Sequence, residues 1–332
     1  MLIKRFDPAC DETAARALHR IYAESAPVDD PGLPPKSPRV FHGYLGQGWT
    51  TEPHETWLAS TAGDAVGGYI LELPDRENLD RAAVSVMVPV ARRRAGLGTG
   101  LLRHAAERAR ALGRSTLTGF TRDGSPGDGF ARAAGATMDL AEIIRKLDLR
   151  EIPPGLLAEL RASTKAAAAG YAIVDWAGPA PDAYLDEVAR LNEAMGDAPR
   201  GPGEEGQSWD AARVRAVGDR TVAQGLRHYS VAARDEITGE LAGLTELGVD
   251  EAQPEWGHQE LTVVTRAHRG HRLGLLLKVA MLELLAEREP QLRWIITGNA
   301  ATNEHMIAIN DALGFRVFSQ WAFWHLPVAS VL

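Results

Sequence analysis

The sequence predicts an α+β chain in which one domain occurs twice, each copy a mixed, mostly antiparallel sheet flanked by helices. Three observations predict it. The chain has 332 residues, more than one hydrophobic core usually organises. Two segments repeat one order: apolar strand, Arg/Gly-rich turn, long apolar helix, short strand, helix ending in Gly. Before each repeat stands a pair of alternating strands with a Gly-containing turn, the pattern of a hairpin.

In the first repeat the elements are Ala83–Val88, Arg92–Gly100, Leu101–Leu112, Ser115–Thr121 and Gly129–Gly135. In the second they are Gln259–Val264, Arg269–Gly274, Leu275–Glu287, Arg293–Thr297 and Asn303–Gly314. Arg269 follows Arg93 by 176 positions and Gly314 follows Gly135 by 179, an offset steady enough to indicate duplication. Upstream, a strand at Leu2–Phe6 precedes a helix capped by Asp11 and running to Glu24. Tyr171–Trp176 and a helix from Asp182 to Ala194 match them, with Leu185, Val188 and Leu191 at near-helical spacing. The hairpins are Thr56–Ser60 with Val66–Leu73 and Tyr229–Ala233 with Leu241–Leu247. Pro/Gly-rich stretches at Val28–Pro38 and Ala198–Gly206 predict loops over a substrate cleft. The boundary falls between Arg150 and Gly170, where Ile152-Pro153-Pro154-Gly155 breaks regular structure and Leu156–Ala169 reads as a connecting helix. The expected domains are therefore 1–150 and 170–332, with 151–169 as linker.

The chemistry centres on Val84-Ser85-Val86-Met87-Val88-Pro89-Val90-Ala91-Arg92-Arg93-Arg94-Ala95-Gly96-Leu97-Gly98-Thr99-Gly100. A strand, a Gly-rich turn and a helix start aim backbone N–H groups and the positive helix end at an anion. A dinucleotide fingerprint wants a third glycine at Leu101, and a nucleotide P-loop wants Lys-Ser/Thr after the glycines; neither is present. Arg93-x-x-Gly96-x-Gly98 resembles the acyl-CoA pyrophosphate loop of the GNAT superfamily of N-acetyltransferases. His268-Arg269-Gly270-His271-Arg272-Leu273-Gly274 resembles a variant of it, with Arg272 in place of a glycine. Thr297-Gly298-Asn299 through Asn303 to Leu313-Gly314-Phe315 is similar to the superfamily's other cofactor-side motif, and the first half has only a degraded equivalent at Phe130–Ala136. Tandem members of this superfamily include the mycothiol synthases.

The resemblance implies two tandem GNAT domains and acetyl-CoA as acyl donor, with no metal. It implies cofactor contacts from Val86, Met87, Val88, Arg93, Arg94, Ala95, Gly96, Leu97, Gly98, Thr99 and Gly100, and from Val263, Val264, Arg269, Gly270, His271, Arg272, Leu273, Gly274, Asn299 and Asn303. It implies direct attack of an amine on the thioester, with a carboxylate or histidine as base. Glu260 is the first choice, followed by Glu246 and His258; the first half offers only Ser85 on its central strand and Glu72 on the preceding one. Many members place a Tyr acid four residues before the last Gly, but here those positions are Ala131 and Asn310. Water or a distant Tyr such as Tyr229 would then protonate the thiolate. The leading expectation is transfer to a primary amine of a small molecule, more in the C-terminal domain. The alternatives are an acyl-CoA-binding sensor without transfer and a protein N-acetyltransferase.

The formal charge of −8 argues against sequence-independent nucleic-acid binding. Met1–Asp7 shows no secretory signal, and Leu273–Ala286, interrupted by Lys278 and Glu283, is too short to span a bilayer, which takes about 20 residues. A single cysteine, Cys10, leaves no internal disulfide framework. The expected protein is cytoplasmic, a monomer or homodimer, without membrane or nucleic-acid partners.

Overall fold

Asp11 caps the first long helix by accepting from the Ala14 amide at 3.0 Å, and the chain begins as the sequence suggests, strand then helix. The computed structural model describes residues 1–48, 52–197 and 203–332. The first repeat contains β1 (Leu2–Phe6), α1 (Glu12–Asp29), α2 (Pro38–Gln47), β2 (His54–Thr61), β3 (Asp64–Glu72) and β4 (Arg81–Met87). It continues with α3 (Leu97–Ala111), β5 (Thr116–Arg122), α4 (Pro126–Ala133) and β6 (Thr137–Asp148). After α5 (Leu156–Thr164) the order recurs: β7 (Tyr171–Ala177), α6 (Leu185–Glu193), α7 (Ala211–Ala223), β8 (Leu226–Asp235), β9 (Leu241–Asp250) and β10 (Trp256–Val264). It closes with α8 (Leu273–Arg288), β11 (Trp294–Ala300), α9 (Glu304–Ala312), β12 (Arg316–Pro327) and α10 (Val328–Val331).

The chain forms two compact units that do not follow the sequence repeats end to end. One comprises Met1–Glu142, Gly201–Glu205 and Gln320–Leu332; the other comprises Ile143–Arg200 and Gly206–Ser319. In the first, the strands run β1-β2-β3-β4-β5, and the later part of β12 pairs antiparallel with β5 from Trp321↔Arg122 to Pro327↔Thr116. In the second, they run β7-β8-β9-β10-β11, followed by the later part of β6. Each unit thus takes its last strand from the end of the other repeat, an exchange that no local periodicity announces.

Several elements differ from their expectations. Val28 and Asp29 lie in α1, which carries Pro27 inside it, so the first Pro/Gly stretch is shorter than expected. Ser37 then caps α2 by accepting from Val40 N, with Pro38 at the first helical position. Neither α2 nor its counterpart α7 is among the helices expected from the sequence. The connecting helix ends at Thr164 rather than Ala169. Of the stretch Ala198–Gly206, residues 198–202 lie outside the described residues. Among the described residues, no helix is long and apolar enough to cross a membrane.

Each sheet is packed on both faces. In the first unit, α3 buries Leu101, Leu102, Ala105, Ala106 and Ala109 on one side, while α1 and α2 bury Leu18, Phe41 and Leu45 on the other. In the second, α8 is buried without a break from Leu273 to Leu282, the mark of a helix apolar all round over that stretch. Strand β9, between β8 and β10, is buried at nine of its ten residues, so it reads as a continuous apolar run rather than an alternation.

Candidate active site

Both units open a cleft at the same place. The parallel pairing of β4 with β5 ends at Ala83↔Thr118, and that of β10 with β11 ends at Gln259↔Thr297. Beyond those points the strands part, so the ends of β4 and β10 keep backbone groups that no neighbouring strand satisfies on that side. Val86, Met87, Val263 and Val264 lie on these freed segments, with Val88 just past β4. Strand β10 differs in one respect: its register with β9 shifts between Gln259 and Thr262, a bulge that β4 lacks against β3. A bulge adds a residue and re-aims side chains, and here it carries Glu260 and Leu261.

The turns that follow share one backbone. Arg94 (φ 63°) and Gly96 (φ 80°) are left-handed in the first; Gly270 (φ 87°) and Arg272 (φ 55°) are left-handed in the second. These positions correspond at the 176-residue offset. Each turn has glycine at one left-handed site and arginine at the other, in opposite order. Left-handed residues two apart, followed at once by α3 or α8, gather N–H groups into an anion-binding concavity. Arg272 therefore preserves the turn that its glycine-less position seemed to compromise.

Arg93 and Arg269, expected on the pyrophosphate, are engaged elsewhere. Arg93 Nε donates to Val88 O at 3.1 Å, and its guanidinium makes two 2.7 Å bonds to the Asp29 carboxylate. Arg269 repeats this with Val264 O at 3.2 Å and Asp197 at 2.7 Å, and Arg266 shares Asp197 at 3.0 Å. The two arginines holding Asp197 keep its carboxyl below the ordinary range, Arg269 most strongly. In both turns the signature arginine ties the loop to the strand end and to an acidic residue, and the backbone is what faces outward.

The clefts differ in size and lining. In the second unit a cavity of about 720 Å³ joins the strand end (Thr262–Val264), the turn (His268–Gly270) and the start of α8 to Asn303, Met306 and Ile309 of the α9 segment. Asn303 caps α9 by accepting from Met306 N at 3.2 Å and lines the same cavity. His271, Val86 to Gly100 and Asn299 are not among this cavity's lining residues. In the first unit the cavity is about 210 Å³, bounded by Val84–Val86, Leu117–Thr121, Phe130 and Trp324. Its lining includes nothing from Arg92 to Gly100. Phe130 stands over Gly98, and buried Trp324 donates from Nε1 to Thr121 Oγ1 at 2.7 Å.

Beside the bulge, three titratable groups converge. His228 Nε2 lies 3.4 Å from Glu260 Oε2, and Ser230 donates to Glu246 at 3.3 Å. Donor atoms of His228, Glu246 and Glu260 all fall within 4.8 Å of one another, close enough to converge on a cation. They line a small cavity of about 50 Å³ with Trp209 and residues of α6 and α7. Burial alone would depress His228, but the Glu260 hydrogen bond and charge outweigh it and raise the imidazole to about 9. Burial pushes Glu246 up. Burial also works against the Glu260 anion, yet His228 overrides it and holds that carboxyl below its usual value. Glu260, expected as the base, is thus the weaker proton acceptor of the two, and His228 is a partner that the sequence did not single out.

Strand register places His54, Ile70 and Ser85 of the first unit where the second has His228, Glu246 and the Glu260 bulge. There Tyr44 bonds Glu72 and Ser85, and burial followed by the Glu72 charge pushes its hydroxyl far up. The two expected acid positions are no help: Ala131 has no proton to give, and Asn310 is fully buried. Tyr229 is also excluded, because its hydroxyl donates to Glu289 at 2.7 Å beside Arg227; burial, then Glu289, raises it to about 12.

Residues 15–125 match the model of the acetyltransferase (GNAT) family. A tandem GNAT protein from the clavulanic acid biosynthesis pathway is 30% identical, with 98% of each chain covered and a TM-score of 0.81. The chain belongs to the GNAT acetyltransferases. A GCN5-related N-acetyltransferase from Sphaerobacter thermophilus shares the fold at 17% identity, covering 98% of this chain and 95% of its own, with a TM-score of 0.64. No curated protein matches. This GNAT chain is therefore of the tandem type.

Proposed function

We propose that the C-terminal GNAT unit transfers the acetyl group of acetyl-CoA to a primary amine of a small molecule. The observation that carries this reading is the 720 Å³ cleft joining the freed strand end, the anion-binding turn and α9 in one cavity. On this reading the backbone of Arg269–Gly274 receives the pyrophosphate, Val263, Val264 and Asn303 flank the arm, and the Glu260 bulge borders the acceptor. The neutral amine attacks the thioester carbonyl carbon, the C–N bond forms, and the C–S bond breaks. The ammonium proton passes to the Glu246/Glu260 pair, with Glu246 the better acceptor because burial raises it toward neutrality. Water protonates the departing thiolate, since Asn310 is sealed and Tyr229 is engaged.

The duplicated domains on this reading are residues 1–150 and 170–332, joined by 151–169. The N-terminal copy retains the turn, Arg93 to Gly100, but its cleft is filled by Trp324 and Phe130, which supports a structural or vestigial role. Release of free thiol from acetyl-CoA, measured across a panel of small primary amines, tests the proposal. Amine-dependent turnover is expected; coenzyme binding with no thiol release across the panel would make this a binding protein instead.

A further inference from the structure

Strand β10 carries an open aromatic floor on the face that holds Glu260. Gln259 is buried, and a Cβ added at Gly257 would meet Leu247, Leu292 and Ile295 of the core around α8. Side chains alternate along a strand, so Trp256, His258 and Glu260 share the opposite face, where Glu260 lines the small cavity with residues of α6 and α7. Parallel pairing sets Trp294 beside Trp256 and Ile296 beside His258 on that face. The two indoles lie 4.8 Å apart. Trp256, Trp294 and Ile296 are half-buried, His258 is exposed, and none of them belongs to a buried core cluster. From the Glu260 bulge the floor reaches Trp256 after four residues, roughly 13 Å along the strand.

Two cations border the indoles. Arg293 stacks over Trp294, 4.3 Å from the ring centre, but Asp148 already holds its guanidinium at 3.0 Å. Lys146, on the neighbouring β6, places its ammonium 4.7 Å from the Phe318 ring and 5.9 Å from Trp256. Its side chain makes no ion pair and no hydrogen bond among the described residues. That positive charge rests on aromatic rings rather than on a carboxylate. The first pair of the matching β4–β5 ladder is Arg81↔Thr116, without an aromatic ring, so the floor belongs to the unit with the large cleft.

We propose that this floor binds the body of the acceptor, and that the acceptor is a primary amine whose flat apolar body ends in a carboxylate. The amine lies at the Glu260 bulge, the body runs over His258 and Ile296 onto the two indoles, and the carboxylate pairs with Lys146. This deepens the reading of the C-terminal unit as an acetyltransferase and rests on it. A diamine of the same length would bring its second cation against Lys146, and like charges select against it.

The test compares two amines of comparable length in thiol release from acetyl-CoA. One is a biphenyl with an aminomethyl group at one end and a carboxylate at the other; the second lacks the carboxylate. In the parent the carboxylated amine is expected to show a KM roughly fivefold lower, the worth of one half-exposed ion pair. Lys146→Met keeps the apolar stem and is expected to erase that difference. Trp294→Ala is expected to raise KM for both amines by roughly tenfold, with Trp294→Phe recovering most of the loss. Equal KM values in the parent, or a difference that survives in Lys146→Met, overturns the assignment. Turnover of short amines with neither biphenyl used also overturns it. Absence of thiol release with every amine overturns the reading of the cleft itself, and the floor with it.

Discussion

In the first turn, arginine then glycine occupy the two left-handed positions; in the second, glycine then arginine do. Duplication has kept the backbone and moved the glycine. The strand splay is likewise kept, but one copy has filled it with Phe130 and Trp324 while the other leaves about 720 Å³ open. The loop with the more regular glycine pattern thus sits in the unit with the smaller cleft. On the proposed reading, pyrophosphate geometry and catalysis have separated between the copies, and the features that distinguish the second copy are the β10 bulge and the groups gathered beside it.

The comparison is broken most severely at those groups. Replacing Glu246 and Glu260 together by Gln is expected to lower kcat for thiol release by about 10²- to 10⁴-fold, the usual worth of a positioned base. The same readout with Glu72→Gln, the nearest carboxylate of the first copy, is expected to stay at the parent level. A loss with Glu72→Gln and none with the double variant would reverse the ranking of the units.

The turns supply a smaller, two-sided effect. Nothing lies within 4 Å of a Cβ added at Gly96 or Gly270, so alanine there meets only the cost of a left-handed backbone. Each substitution should lower stability by about 1–2 kcal/mol in denaturant titration, whereas Arg272→Gly or Arg94→Gly should raise it by roughly 0.5–1 kcal/mol. Arg272 also bonds Ser163 O at 3.1 Å, so its gain should be the smaller.

The smallest effect is a pH dependence confined to the second unit. His228 is raised from 6.5 to about 9, so its contribution is fully present below pH 6.5 and is lost as pH rises through about 9. Glu260 is lowered, so its contribution is present above the ordinary carboxylate range and is lost as pH falls through its depressed value. Between pH 6.5 and 9, thermal unfolding of His228→Gln should therefore lose the contribution that favours the lower pH, so that its stability rises more, or falls less, with pH than the parent's. The Glu260 side chain is 38% exposed, and solvent screening keeps the slope shallow.

Much of this architecture was legible in the sequence because strong local signals carry it. The Asp11 cap, the alternating hairpins, the long apolar α8 and the paired turns each occupy a few consecutive residues. The strand exchange was not legible, since which sheet receives Gln320–Pro327 depends on partners some 200 residues away. Among site residues, Asn303 emerged from a local motif. His228 did not, because it approaches Glu260 only through the β8-β9-β10 register. The arginine roles were legible only in part: charge beside a phosphate loop suggested ligand contact, but Asp29 and Asp197, distant in sequence, hold both guanidinium groups.

The most direct test of the central claim fills each cleft in turn. Ala308 lines the C-terminal cavity from an exposed position on α9, and Ala131 lines the N-terminal one. Amine-dependent thiol release from acetyl-CoA is measured for Ala308→Trp and Ala131→Trp. The account predicts that Ala308→Trp abolishes turnover while Ala131→Trp leaves it near the parent rate; loss of turnover in Ala131→Trp with Ala308→Trp unaffected would contradict it.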